Sequence, residues 1–293
     1  MSGAPSSAIW RMMSMTKTSS KASVPLLIEG RNISAAYCGL LLHIADNPGV
    51  EVSPLVLTVD GFTADYSIPE DTAVRSTLDA LLAKKGKTSV EDVAFTIFPE
   101  QLWIMSQGDR AKLFQFYRWS FPFYRARHKA NSRGLYFERL TMFGSGPCDG
   151  NQLEWILSEW NKRDGVRDSM AQATTFDPAR DHTASAQLKF PCLQHVSFVP
   201  TTTGLVVNAF YATQQIFDKA YGNYLGLAQL GAFMAHEMKM PLARLNVNVG
   251  VAKLERIGKT DSAMTPLMNA ARACVAPPPS AGLVSTPTSL PAA

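Results

Sequence analysis

Cysteine is scarce. The 293 residues hold only Cys38, Cys148, Cys192 and Cys274, and no two stand at Cys-x-x-Cys spacing. A disulfide framework is not expected for a chain of this size, and a reducing compartment fits. The histidines are as sparse. His43, His128, His182 and His236 form no metal-ligand pattern with the cysteines, so no metal is expected. No apolar run approaches the ~20 residues of a membrane span, and no secretory core is visible. The expectation is a cytoplasmic protein without a membrane partner. A basic stripe is missing too. The formal charge is only +4, and Arg11, Lys17 and Lys21 precede the first acid, Glu29. The runs Lys84–Lys87 and Arg125–Lys129 read as solvated faces, so no nucleic-acid partner is expected. No internal repeat is present.

What the chain does have is core. Hydrophobic residues make up 46% and charged residues 18%, the balance of a folded globular protein. Residues 1–24 are Ser-rich and acid-free and read as a tail. From Ala276 onward, five prolines among Ser, Thr and Ala read as a second. Between them, residues 25–275 are expected to form one domain. Helices are predicted over Ile33–Ile44, stopped by Pro48-Gly49, then over Ala73–Lys84, Glu100–Phe116, Asn151–Trp160 and Tyr224–Met238. Strands are predicted at Pro54–Asp60, His195–Pro200, Leu205–Tyr211 and Leu245–Val251, the middle two joined as a hairpin. This mixture indicates an α/β or α+β fold with a mixed sheet and flanking helices.

Pro191-Cys192 stands just before the hairpin. A cysteine there, with proline fixing the backbone before it, can aim its sulfur at a cleft. The same spacing also suits a buried, inert thiol. His195 follows by three residues, so in an extended segment it points to the opposite face and makes a poor dyad partner.

A wider set of segments resembles the thymidylate synthase superfamily. Glu100-Gln101-Leu102-Trp103 followed by Gln107-Gly108-Asp109 is similar to its Glu-Leu-x-Trp…Gly-Asp segment, with one extra residue between. Phe143-Gly144 ahead of the helix at Asn151, Pro191-Cys192, Phe210-Tyr211 and Asp218–Gly222 follow the family's order over roughly residues 30–256. The resemblance implies a thymidylate synthase-like fold and a homodimer. It also implies transfer of a one-carbon unit from 5,10-methylenetetrahydrofolate to C5 of a pyrimidine nucleotide. In that chemistry a thiolate adds to ring C6, a role for Cys192, because sulfur is both a strong nucleophile and a good leaving group. A carboxyl group moves protons at the ring, a role for Glu100. Asp218 matches the acid that holds the pteridine, and Gly222 matches a glycine that admits the cofactor. Arg167 lies where the family reaches across a dimer interface to the nucleotide phosphate, and Trp119 matches a tryptophan near substrate.

Three substrate contacts depart from the pattern. The family's phosphate-binding arginine falls near Ala212, Thr213 or Gln215, and no Lys or Arg occurs between Phe190 and Asp218. A bidentate phosphate contact is therefore missing from this segment. The asparagine that reads the uracil edge falls on Gly226. The His-x-Tyr pair that holds the ribose falls on Lys253 and Glu255, and Lys253 could supply a point charge for an anion. The expected acceptor is thus a nucleotide-like molecule other than deoxyuridine monophosphate. Two alternatives stand beside this: a cysteine-dependent hydrolase or acyltransferase, and a nucleotide-binding scaffold that has lost turnover.

Overall fold

The structure is a computed structural model. It describes residues 23–48, 50–127, 129–182, 184, 191–253 and 262–276. Gly49, His128, Glu255, most of the expected N-terminal tail and all but Ala276 of the C-terminal one lie outside these residues. Ser23 and Val24, read from sequence as tail, instead open a strand.

That strand, β1 (Ser23–Gly30), leads through helix α1 (Ile33–Asp46) to β2 (Glu51–Val59), which pairs with β1 in parallel. Asn32 starts α1 by accepting a hydrogen bond from the Ala35 amide at 2.7 Å, which satisfies one of the unpaired donors of the first turn. Four helices follow: α2 (Thr72–Lys84), α3 (Val90–Phe95), α4 (Glu100–Met105) and α5 (Arg110–Arg127). Sequence periodicity joins the last two into one helix over Glu100–Phe116. The structure breaks it, because Gln107 and Gly108 take φ of 52° and 79°. Asp109 then restarts the chain by accepting from the Ala111 and Lys112 amides at 3.0 and 3.1 Å. The side-chain cap outweighs the apolar period that runs across it.

Next come α6 (Tyr136–Thr141), α7 (Gln152–Lys162), β3 (Gln172–Thr174) and the single turn α8 (Pro178–Asp181). The chain then enters the hairpin β4 (Leu193–Thr201) and β5 (Gly204–Gln215), as the sequence predicts, though both strands are longer. A π turn at Ile216–Ala220 feeds α9 (Tyr221–Glu237), followed by β6 (Leu242–Lys253) and, at the end of the described chain, α10 (Thr265–Val275).

The six strands form one mixed sheet in the order β1-β2-β6-β5-β4-β3. Two strand-helix-strand units supply its parallel pairs: β1-α1-β2, and β5-α9-β6. The hairpin and the β2–β6 pairing are antiparallel. One register row, Ile28, Leu57, Val247, Ala209, Val196 and Ala173, faces the core, and α1 and α9 pack over the sheet. The neighbouring row on the other face holds Leu27 and Phe210, 62% and 43% exposed. Beside it Ser197, Asn208, Asn246 and Thr58 form a hydrogen-bonded ladder across four strands.

Helix α9 is the centre of the core. Every residue from Tyr221 to Ala235 is buried, as expected of a helix enclosed on all sides. Gly222 and Gly226 let α3 lie directly against it. A Cβ on Gly222 would stand 2.6 Å from Val93 Cβ, and one on Gly226 would stand 2.6 Å from the Ala94 carbonyl oxygen.

Candidate active site

Several independent bonds fix the backbone around Cys192. Its carbonyl accepts from the Ala212 amide at 2.9 Å, in the hairpin partner. The Thr175 hydroxyl donates to the Leu193 carbonyl, and the Thr175 amide donates to Gln194 O at 3.0 Å. The Leu193 amide points at the Tyr136 hydroxyl, 3.5 Å away. A register irregularity between Leu193 and His195 separates the cysteine from the regular strand. The thiol itself is exposed, and Sγ lies 3.8 Å from Thr213 Oγ1.

Thr175 is anchored from behind. Arg139 and Asp181, 2% and 4% exposed, form a two-bond pair at 2.9 and 3.0 Å. Arg139 also donates to the Thr175 carbonyl at 3.1 Å, and Asp181 accepts from the Asp177 amide at 2.8 Å. The cysteine therefore rests on a chain of bonded groups running into the core.

Glu100 reaches the site from the other side. It is the first residue of α4, and its Oε2 accepts from Gln229 Nε2 of α9 at 2.8 Å. Burial pushes its carboxyl above the usual carboxylate range. Glu91 and Glu70 push the same way, and the Gln229 bond opposes them. A carboxyl group so placed takes and returns a proton closer to neutral pH than an exposed glutamate does.

These two residues, far apart in sequence, line one cavity of about 550 Å³. Its size is that of a small-molecule site. Gln215 lines it too. Gln101 and Thr213, from the same segments, line it as well, whereas Trp119, Arg167, Lys253, Asp218 and Gly222 do not. Trp119 lies on the outer face of α5, 78% exposed. Arg167 is exposed ahead of the short turn at Asp168–Met170. Lys253 is exposed at the end of β6, opposite Gln215 in the ladder. Asp218 is ion-paired with Lys87 at 2.6 Å, and Gly222 packs against α3. His195 stands in the open row beside Phe210, away from the cavity, where burial lowers its pKa.

The structure adds residues the sequence reading missed: Tyr136, Asn223, Arg127 and Lys219, all in the cavity wall. Burial raises the Tyr136 hydroxyl well above its ordinary pKa, and the nearby Cys192 adds to the rise, so it stays a neutral donor beside the sulfur. Asn223 did carry a signal. It and Gln229 are the amides within the otherwise apolar first turns of α9. Arg127 carried none, being one of several basic residues at the end of α5.

Among the described residues no cluster of three or more His, Cys, Asp or Glu could hold a metal ion, and no helix is long and apolar enough to cross a membrane. Comparison with protein-family models and with curated proteins found no match for the chain.

Proposed function

We propose that the protein is a thymidylate synthase-like transferase that moves a one-carbon unit onto C5 of a pyrimidine nucleotide or a related acceptor through a covalent Cys192 adduct. The observation that carries this reading is the shared cavity of Cys192 and Glu100. The thiolate forms a bond to ring C6, and the C5=C6 electron pair moves towards the C4 carbonyl, leaving C5 nucleophilic. Glu100 exchanges protons at the carbonyl oxygen and at C5. Tyr136 accepts from the amide of Leu193, the cysteine's backbone neighbour, at 3.5 Å, and its hydroxyl feels the charge of the thiol.

The one-carbon donor is the open part. A reduced folate would supply an electrophilic methylene. The two residues expected to hold it are otherwise engaged, Asp218 by Lys87 and Gly222 by α3. No step therefore routes through that group. Among the described residues, the cations Arg127 and Lys219 line the cavity together with the carboxyl groups of Glu91, Asp92 and Glu100. This balance supports an acceptor other than deoxyuridine monophosphate, held without the missing arginine fork.

A homodimer fits the open sheet face. Leu27, Val56 and Phe210 share one register row there with Asn248. A second copy related by two-fold symmetry would cover the row with itself. The hydrolase alternative has less support, because no histidine among the described residues lines the cavity. The scaffold alternative shares the same pocket and differs only in turnover.

The test is incubation with pyrimidine nucleosides and monophosphates, with and without methylenetetrahydrofolate, followed by mass spectrometry of the Cys192 peptide. An adduct on Cys192 is expected with at least one of them. Deoxyuridine monophosphate should not give thymidylate at the ordinary enzyme scale of ~1–10 per second. No adduct and no binding across the panel would sink the proposal.

A further inference from the structure

Helix α9 is buried from Tyr221 to Ala235. A glutamine in such a helix is justified only by its bonds, because a buried amide without partners lowers stability. Gln229 is 5% exposed. Its Nε2 donates to Glu100 Oε2 at 2.8 Å. Its Oε1 is closed off from solvent and has no partner among the described residues. Glu100 is thus the one group there that orients this amide. The dependence runs the other way too. The charged groups around Glu100 are Glu91 of α3 and Glu70 ahead of α2, both bonded to Arg75. Asp92, Arg127, Lys219 and Cys192 line the cavity with it. Among the described residues none of these bonds its carboxyl group, and Gln229 does.

We infer that Gln229 is the positioning residue of Glu100: it donates to the carboxylate and, with its amide turned over, accepts from the carboxylic acid, so the carboxyl group keeps one place through its proton transfer. This rests on the acid/base role proposed for Glu100. A general acid/base must face the same reacting atom before and after the proton moves. A group that only donates, such as a lysine, would serve the carboxylate and turn the acid away. A carboxamide carries both kinds of atom, and a half-turn about its last torsion exchanges them. The second atom is closed off in either orientation, so it favours neither. The charged form still gains more, since a bond to an ionised acceptor is the stronger one. The bond therefore holds down a pKa that burial raises, and the proton stays exchangeable. Gln229 is not in the cavity wall, so it acts through Glu100 and not on a ligand.

The experiment is a magnetic-resonance pH titration of the full chain carrying isotope-labelled Glu and Gln, with Glu100→Gln and Gln229→Met to assign the signals. In wild type the Glu100 carboxyl carbon and the Gln229 side-chain amide should share one midpoint, above the ordinary glutamate value of about 4.3. Below it the bonded amide proton should lose its downfield shift, because the amide oxygen then takes the bond. In Glu100→Gln the Gln229 signal should stop titrating. Methionine is close to glutamine in length and brings no strong donor or acceptor. Gln229→Met should therefore fold, as circular dichroism checks, and its Glu100 midpoint should rise by roughly half to one pH unit. Its kcat should fall about tenfold or more, its KM should stay within about twofold, and the pH profile of kcat should shift by the same interval as the midpoint. If this variant fails to fold, the titrations of wild type and Glu100→Gln decide alone. An amide proton that keeps its downfield shift on both sides of the midpoint overturns the inference. So does a folded Gln229→Met with wild-type midpoint and kcat. Either result leaves the proposed function standing. If no pyrimidine gives an adduct or turnover, the proposed function falls, and the titration, which needs no substrate, still decides whether Gln229 holds both forms of Glu100.

Discussion

Replacing Arg139 by methionine should be among the most damaging single changes outside the cavity. The guanidinium bonds Asp181 twice, at 2.9 and 3.0 Å, and the Thr175 carbonyl at 3.1 Å. Both charged side chains are nearly inaccessible, at 2% and 4%. Methionine matches much of the length but leaves the Asp181 carboxylate buried with the Asp177 amide at 2.8 Å and no cation bonded to it. Breaking a buried pair on one side costs about 3–5 kcal/mol. In a folded domain of this size, that lowers the melting temperature by roughly 6–20 °C. Removing both charges is a different perturbation. Arg139→Met with Asp181→Leu leaves no uncompensated ion and should recover much of the loss. The assay is thermal and urea unfolding of wild type, both single variants and the double. Alkylation of Cys192 by iodoacetamide should also change in Arg139→Met, because Thr175 carries the strain to Leu193 and Gln194. A single variant that loses less than about 1 kcal/mol, the scale of a surface pair, would refute the argument. A double variant no more stable than the singles would refute it as well.

Cys192→Ser should keep the fold and lose turnover, since an alcohol is a far weaker nucleophile at neutral pH; retained turnover in the purified variant removes Cys192 from the mechanism. Glu100→Gln should bind ligand yet turn over at least ~10²-fold more slowly, and an unchanged rate excludes it as the acid/base. The same change has a stability signature. Because the folded-state pKa of Glu100 is raised, its favourable contribution is present below the unfolded pKa of about 4.3 and is lost as pH rises through the folded value. Glu100→Gln should therefore gain stability relative to wild type between about pH 4 and 8 and show no gain at lower pH, as read by melting temperature across pH; an advantage independent of pH points elsewhere. Light scattering should give a dimer at micromolar concentration, and Phe210→Glu, which puts a charge in the open row, should give a monomer; a monomeric wild type rules out the paired sheets.

The sequence alone carried the elements whose signals are local. The apolar periods of α1, α2 and α7, the Thr-Thr-Thr-Gly connection of the hairpin and the alternation along β6 each lie within one short segment, and each element is present with somewhat different ends. Glu100 and Cys192 were legible as well, as residue types in a family-like order. The sequence could not decide where the remaining candidates lie. Trp119, Arg167 and Lys253 were placed by spacing along the chain. Which side of α5 or which end of β6 faces the cavity depends on packing between elements that are distant in sequence. The break at Gln107-Gly108 rotates α5 as a unit, which no periodicity over Glu100–Phe116 reveals. Asp218 and Gly222 illustrate the same limit. Their identities suit a cofactor, yet Lys87 and the close approach of α3 occupy them. Most of all, the unmatched state of the Gln214 nitrogen exists only in three dimensions. An amide in a sequence always has potential partners. Only the folded core fixes which groups surround it, and so leaves the Gln214 nitrogen closed off without an acceptor while its oxygen meets Tyr224.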